Sequence, residues 1–182
     1  MVHPQIPADA VLETSRVRLA PVRVADAEEM AIVLGDPRLH EFTGGRPLAV
    51  DELRAQYRRW AAAPGWPGEQ WLNWVVRLRA TGAAVGTVQA TVTSRADGCR
   101  AAQVAWVIGL PWQGSGFAAE AAAALVTWLT QAGVTDVTAS IAPGHRASER
   151  VAARAGLEPT AESADGERVW RLCPGNGRAP AT

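Results

Sequence analysis

The apolar residues follow two rhythms, one of period two and one near period 3.6. Residues 16–22 alternate and predict a first strand. Asp26-Ala-Glu-Glu then sets an acidic first turn, Met30 and Val33 follow at helical spacing, and Gly35-Asp36-Pro37 ends the helix. After the loop LHEFTGGRP, Pro47 and Asp51 open a second helix to about residue 63, which breaks at Pro64-Gly-Trp-Pro-Gly68. Leu72, Trp74, Val76 and Leu78 alternate with Asn73, Val75, Arg77 and Arg79 as a strand. Two more strands, 85–93 and 103–108, follow turns at Thr81-Gly82 and Asp97-Gly98. Phe117, Ala121, Leu125, Trp128, Leu129 and Ala132 mark a long helix that ends at Gly133. A strand at 137–141, a helix at 146–155 closed by Gly156-Leu157, and strands at 158–163 and 167–172 around Asp165-Gly166 complete the order.

The order β-α-α-β-β-β-α-β-α-β-β predicts an α/β domain with a mixed sheet and helices on both faces. One domain is expected over 11–173, with a flexible N-terminus at 1–10 and a disordered tail at 174–182. The 182 residues suit a single core. Eighteen basic and eighteen acidic residues cancel, so a uniformly polyanion-binding surface is not expected and no nucleic-acid partner is assigned. All the basic residues are arginine. Without lysine the chain has no P-loop phosphate lysine, no kinase strand lysine and no Schiff-base amine. Cys99 and Cys173 make neither a disulfide framework nor a zinc site, the three histidines are scattered, and no metal is expected. Apolar stretches near 104–112 and 121–129 fall short of the ~18–20 residues of a membrane span. With no signal-peptide pattern at the N-terminus, a cytoplasmic protein with no membrane partner is expected.

Chemistry concentrates in residues 104–118, VAWVIGLPWQGSGFA. A strand, a Gly-rich turn and a helix start leave several backbone N–H groups in one concavity, where the helix dipole adds about half a positive charge. Gly114 and Gly116 permit unusual φ and close approach of a phosphate, so a diphosphate suits the site without lysine. The same residues also suit a plain strand–turn–helix joint. A dinucleotide-binding unit is disfavoured: no third glycine follows, and Asp136 opens a strand where a ribose-binding acid should end one.

Taken together, these residues resemble the GNAT acyltransferase superfamily, and within it the branch similar to the RimJ/RimL ribosomal-protein N-terminal acetyltransferases. Gln113-Gly-Ser-Gly116-Phe-Ala118 fits the family loop Gln/Arg-x-x-Gly-x-Gly/Ala, and Glu120-Ala121 continues the branch pattern. HRASERVAARAGL at 145–157 resembles the second motif and LETSRVRL at 12–19 the opening strand. The resemblance spans about 12–172 and implies a mostly antiparallel sheet parted by a bulge between its fourth and fifth strands, 103–108 and 137–141.

It also implies acetyl-CoA as donor and an N-acetyltransferase reaction by direct attack of a primary amine in a ternary complex. The diphosphate would rest on the loop Gln113, Gly114, Ser115, Gly116, Phe117, Ala118 and Ala119. The pantetheine arm would add to the strand edge at Trp106, Val107 and Ile108. An N–H near Val107 or Ile108 would serve the thioester oxygen.

Three positions depart from the family pattern. His145 replaces an asparagine and is assigned with Ser148 to the cofactor; a polar cap is the plainer reading. Ala152 stands where many relatives carry an acidic tyrosine, which leaves Ser148 to protonate the thiolate or merely to cap the helix. Gln103 replaces a frequent glutamate and cannot take a proton, so Glu41 is the candidate base, with a solvated loop carboxylate as the plainer reading. His40, Phe42, Tyr57, Trp74 and Gln103 are assigned to the acceptor pocket. Trp106 and Trp128 are expected in the core, and Trp66, Trp71 and Trp112 partly exposed. Arg146, Arg150 and Arg154 read as a solvated face. The acceptor is a small-molecule or peptide amine, and the chain a monomer or homodimer. A catalytically degenerate ligand-binding module of the same fold, or a donor with a larger acyl group, remains open.

Overall fold

The computed structural model describes residues 6–42, 44–62, 68–94 and 98–173. Its strands are β1 (Leu12–Glu13), β2 (Val17–Pro21), β3 (Glu69–Leu78), β4 (Ala84–Ser94), β5 (Arg100–Ile108), β6 (Asp136–Ile141), β7 (Leu157–Ala164) and β8 (Glu167–Leu172). Its α-helices are α1 (Ala27–Val33), α2 (Val50–Ala62), α3 (Phe117–Gln131) and α4 (Arg146–Arg154). The Pro64–Pro67 break, Trp66, Asp97 and the expected tail at 174–182 lie outside the described residues.

One eight-stranded sheet runs β1-β2-β3-β4-β5-β6-β8-β7. Every neighbouring pair is antiparallel except β5 and β6. Alternation assigns the two faces. Leu72, Trp74 and Val76 share a face with Val88, Ala90 and Val104, packed under the alanine-rich side of α3 and Ala152 of α4. Leu125 and Leu129 of α3 are 1% and 0% exposed, and burying each contributes roughly 2 kcal/mol. On the opposite face Val75 packs with Met30 and Val33 of α1 and with Leu53 and Tyr57 of α2. Charge pins α1 there as well. Arg77 donates to Asp26 and Glu29, both at 2.8 Å, and Glu29 accepts the Ala84 N–H at 2.8 Å.

The segment from residue 6 onward packs on the sheet. Ile6 is 3% exposed, and the Gln70 amide takes its N–H at 3.1 Å and donates to its carbonyl at 2.5 Å. The Ala10 carbonyl accepts Trp74 Nε1 at 2.7 Å. One side-chain amide and one indole thus satisfy the docked backbone.

The central sheet parts between β5 and β6. Their pairing covers only Ala101–Gln103 against Asp136–Thr138. Beyond it β5 continues to Ile108 on β4 alone, while Ala139–Ile141 pair with β8. No bulge accompanies the parting, because the β4–β5 register is unbroken from Arg100 to Ile108. Instead, β5 leans onto β4 at Gly86, where a Cβ would lie 2.2 Å from the Val107 carbonyl oxygen.

Candidate functional site

β5 leads through Gly109 and a tight turn at Leu110–Trp112 into the Gly-rich loop. Gly114 and Gly116 have φ of +76° and +83°, and Gly116 is the N-cap of α3 with no side chain to cap it. The first amides of α3 therefore face outward without intrahelical partners. Gln113 Nε2 donates to the Ile108 carbonyl at 2.8 Å, tying the loop to the end of β5. From the other side Arg16 Nη1 donates to the Ser115 carbonyl at 2.9 Å. The C=O and N–H of a trans peptide point opposite ways, so this bond turns the Gly116 amide away from β2 and outward. The Arg16 guanidinium also lies 4.9 Å from the Phe117 ring centroid.

Arg16 was missed in the sequence, where it reads only as one polar position of a strand. Its partner is Glu120, in the first turn of α3. That carboxylate accepts from Thr14 Oγ1 at 2.5 Å, Ser15 Oγ at 3.1 Å, the Arg16 amide at 2.8 Å and Arg16 Nε at 2.6 Å. Burial opposes its ionisation, but these donors outweigh burial and hold the Glu120 carboxyl down to about 2. The sign follows. Its contribution to stability is complete above the ordinary 4.5 and is lost as pH falls toward about 2. Glu120→Gln is expected to lower the melting temperature at pH 7 and to flatten its decline between pH 5 and about 2, which thermal melts at stepped pH read directly. A variant that declines as steeply as the parent would remove Glu120 as the cause.

β5 presents its edge to the gap. The Gly109 amide donates to the Val85 carbonyl at 2.9 Å, and the Arg100 carbonyl accepts Thr135 N at 3.0 Å. By alternation Val107 hydrogen-bonds toward β4, whereas the Trp106 and Ile108 amides face the gap. Of the two amides expected near the thioester, the Ile108 N–H faces the gap and the Val107 N–H faces β4. Trp106 stands on the α3 side, partly buried against the core.

The other wall is the start of α4. His145 takes its N-cap position without a side-chain cap bond, and its Nε2 is 3.5 Å from Ser148 Oγ. Phe42 stacks flat on the His145 imidazole, with centroids 4.1 Å apart and planes at 4°. The loop after α1 is thereby fastened to α4. Burial pushes the His145 pKa down against the opposing charges of Glu149, Glu167 and Glu41. His40 Nδ1 is 3.2 Å from the Gly44 carbonyl, and Glu41 is exposed.

Two acceptor assignments are corrected. Trp74 is 0% exposed and meets Trp128 edge-on at 5.4 Å, on the face under α3. Tyr57 is 5% exposed between α1 and α2, stacked on Trp60, and burial pushes its hydroxyl up to about 12. Gln103 is exposed and donates from Nε2 to Ser140 Oγ at 3.2 Å. Beside it on the same face is a cleft of about 180 Å³ lined by Trp60, Trp71, Asn73, Gln89, Ala90 and Thr91. Arg146, Arg150 and Arg154 are exposed. Among the described residues no group of three or more His, Cys, Asp or Glu side chains is placed to hold a metal ion, and no helix is long and apolar enough to cross a membrane.

A family model described as an acetyltransferase (GNAT) domain matches residues 16–158. The fold is similar to an acetyltransferase (GNAT family) of Bacillus anthracis, with a TM-score of 0.73 at 15% identity over 90% of this chain and 98% of that one. It is similar to a putative ribosomal-protein-serine acetyltransferase of Vibrio cholerae, with a TM-score of 0.69 at 20% identity over 93% and 100%. It is also similar to RimL, a ribosomal alpha-N-protein acetyltransferase in complex with coenzyme A, with a TM-score of 0.73 at 13% identity over 89% and 97%. No curated protein matches the chain by sequence.

Proposed function

The chain belongs to the GNAT acetyltransferase family, and we propose that it transfers an acetyl group from acetyl-CoA to a primary amine by direct attack in a ternary complex. The observation that carries this reading is the continuity of the open β5 edge with the amide cradle of α3. The residues present fit the donor. A Cβ at Gly114 would meet nothing within 4 Å, so among the described residues no protein atom fills that space. The Gly114–Ala119 amides and the α3 dipole suit a diphosphate. Arg16, ion-paired to Glu120, brings its guanidinium to the rim. The free edge of β5 suits the amide-rich arm as an added strand.

When bound, acetyl-CoA supplies an activated thioester carbonyl. The chain supplies position and polarity. The Ile108 amide, with Trp106 behind it, offers an N–H to the carbonyl oxygen, and removing such a donor typically costs about 3 kcal/mol in barrier. The balance is simple. The amine nitrogen forms a bond to the carbonyl carbon, the carbon–sulfur bond breaks, and the sulfur leaves as thiol with one proton. The ammonium releases two protons in all, one to the sulfur and one to solvent. Ser148 Oγ delivers the first, with His145 Nε2 3.5 Å behind it. Glu41, whose charge reaches the His145 ring, receives the second directly or through water.

A degenerate, purely binding module is the second reading. Gln103, which spends its amide on Ser140, and Ala152, at 0% exposed, favour it. Calorimetry is expected to show acetyl-CoA binding in the micromolar range, with thiol release on adding primary amines. Absence of binding at millimolar donor would remove both readings. Binding without release for any amine would leave only the second.

A further inference from the structure

The cleft beside Gln103 has a composition that speaks to the acceptor. Two of its walls are indoles, Trp60 and Trp71. Its polar lining is Asn73, Gln89 and Thr91, and among the described residues no acidic, guanidinium or imidazole group joins them. These three side chains have no hydrogen-bond partner among the described residues, whereas their neighbours on the same face do. Thr87 Oγ1 donates to the Trp74 carbonyl at 2.9 Å, and Gln103 is held by Ser140. Polar groups facing a cleft without internal partners are set to bond a ligand.

The register connects the cleft to the reacting centre. Asn73 lies opposite Gln89, and Gln89 opposite Ala105. Ala105 is the second β5 residue past the last β6 pair, and it is exposed. A floor two strand spacings wide, about 10 Å, therefore runs from Asn73 to the parted edge, with only a methyl group at its end.

We propose that this trough holds the body of the acceptor, and that the acceptor is a polyhydroxylated primary amine of the amino-sugar class, with no charged group besides the reacting amine; this rests on the acetyl transfer proposed above. A sugar ring has apolar C–H faces that pack on indoles and hydroxyls that both donate and accept. Asn73 and Gln89 each offer two donors and one acceptor oxygen. A polyamine would bring a second ammonium to walls with no carboxylate among the described lining residues; Glu69, two residues from Trp71, accepts Trp71 Nε1 at 3.3 Å. An arylalkylamine would cover the three polar side chains without bonding them, an unfavourable burial. The oxygen-bearing carbons beside an amino-sugar nitrogen also lower its ammonium pKa below that of an alkylammonium. That suits a site whose strand position 103 is an amide rather than a base.

The test measures thiol release by the full chain with acetyl-CoA and glucosamine, cadaverine, an alanyl peptide or tryptamine. Glucosamine is expected to have a kcat/KM at least about tenfold above the others. Asn73→Leu and Gln89→Leu are each expected to raise its KM about tenfold, the effect of one lost hydrogen bond of about 1.4 kcal/mol, with the acetyl-CoA Kd within about twofold by calorimetry. Preference for the peptide, cadaverine or tryptamine overturns the proposal while sparing acetyl transfer. Equal loss on every amine in the two variants also overturns it, as does bound acetyl-CoA with no turnover of any amine. Failure of acetyl-CoA to bind instead removes the acetyl transfer on which the proposal stands.

Discussion

Gly86→Ala is expected to destabilise the fold by about 3 kcal/mol, the upper end of overpacking penalties, and to lower Tm by roughly 6–12 °C in a chain of this size. The added Cβ would sit 2.2 Å from the Val107 carbonyl oxygen, 2.7 Å from Ile108 Cδ1 and 2.9 Å from Ile108 Cα. Two of these three atoms are backbone. The Ile108 side chain can rotate away, but the strand holding Val107 cannot yield without breaking ladder bonds to β4. Relief must come by moving the end of β5, and that end carries the Ile108 amide and receives Gln113 from the loop. The same variant should therefore weaken acetyl-CoA binding, although residue 86 lies on the far side of β5 from the gap. Thermal unfolding measures the first effect and calorimetry the second. A Tm within 2 °C of the parent would mean that β4 and β5 separate at this point more easily than their register suggests.

The strand and helix order was legible because each long element carries a clean period. Leu72, Trp74 and Val76 alternate into one face, and Leu125 and Leu129 lie one turn apart. The same alternation places Trp74 in the core: it shares parity with Leu72 and Val76, so it cannot also line a pocket on the opposite face. Tyr57 follows Leu53 by four residues on the buried stripe of α2, which assigns it to packing in the same way. β1 has only two residues, too few to show any period. The docking of residues 6–10 rests on Gln70 and Trp74, partners 64 residues away, and no local pattern announces it. The cradle itself was readable, since strand, glycines and helix start are contiguous. Its support was not. Arg16 and Glu120 meet across 104 residues, and only the sheet order that sets β2 beneath α3 brings them together. The acceptor floor was hidden for a related reason. Asn73 and Gln89 become neighbours through a hairpin whose register shifts between Val76 and Arg77, and such a shift leaves no trace in an alternating pattern.

Gly116→Val is expected to weaken acetyl-CoA binding about a hundredfold, a change of roughly 2.7 kcal/mol. Two costs combine at this residue. Its φ is +83°, and a β-branched side chain there is a backbone outlier costing about 1–2 kcal/mol or more. A Cβ would also approach Arg16 Nη2 to 3.4 Å, within the clamp that fixes the Ser115 carbonyl. The cheapest relief is a flip of the 115–116 peptide, which breaks the Arg16 bond and turns the Gly116 amide out of the cradle. Binding then suffers more than folding does, because Gly116 is partly exposed and the core side of α3 is untouched. Arg16→Leu separates the two contributions. It leaves the glycine free but removes the positive charge and the carbonyl anchor, and about a tenfold loss is expected, in the range of one charged hydrogen bond. Arg16→Lys keeps the charge but not the fork that reaches Glu120 and Ser115 together, so it should recover only part of that loss. Calorimetry on the three variants, with melts to confirm folding, orders them as Gly116→Val weakest, then Arg16→Leu, then Arg16→Lys. If Gly116→Val binds acetyl-CoA within threefold of the parent, the diphosphate does not rest on these amides, and the site of the donor must be sought elsewhere along the parted sheet.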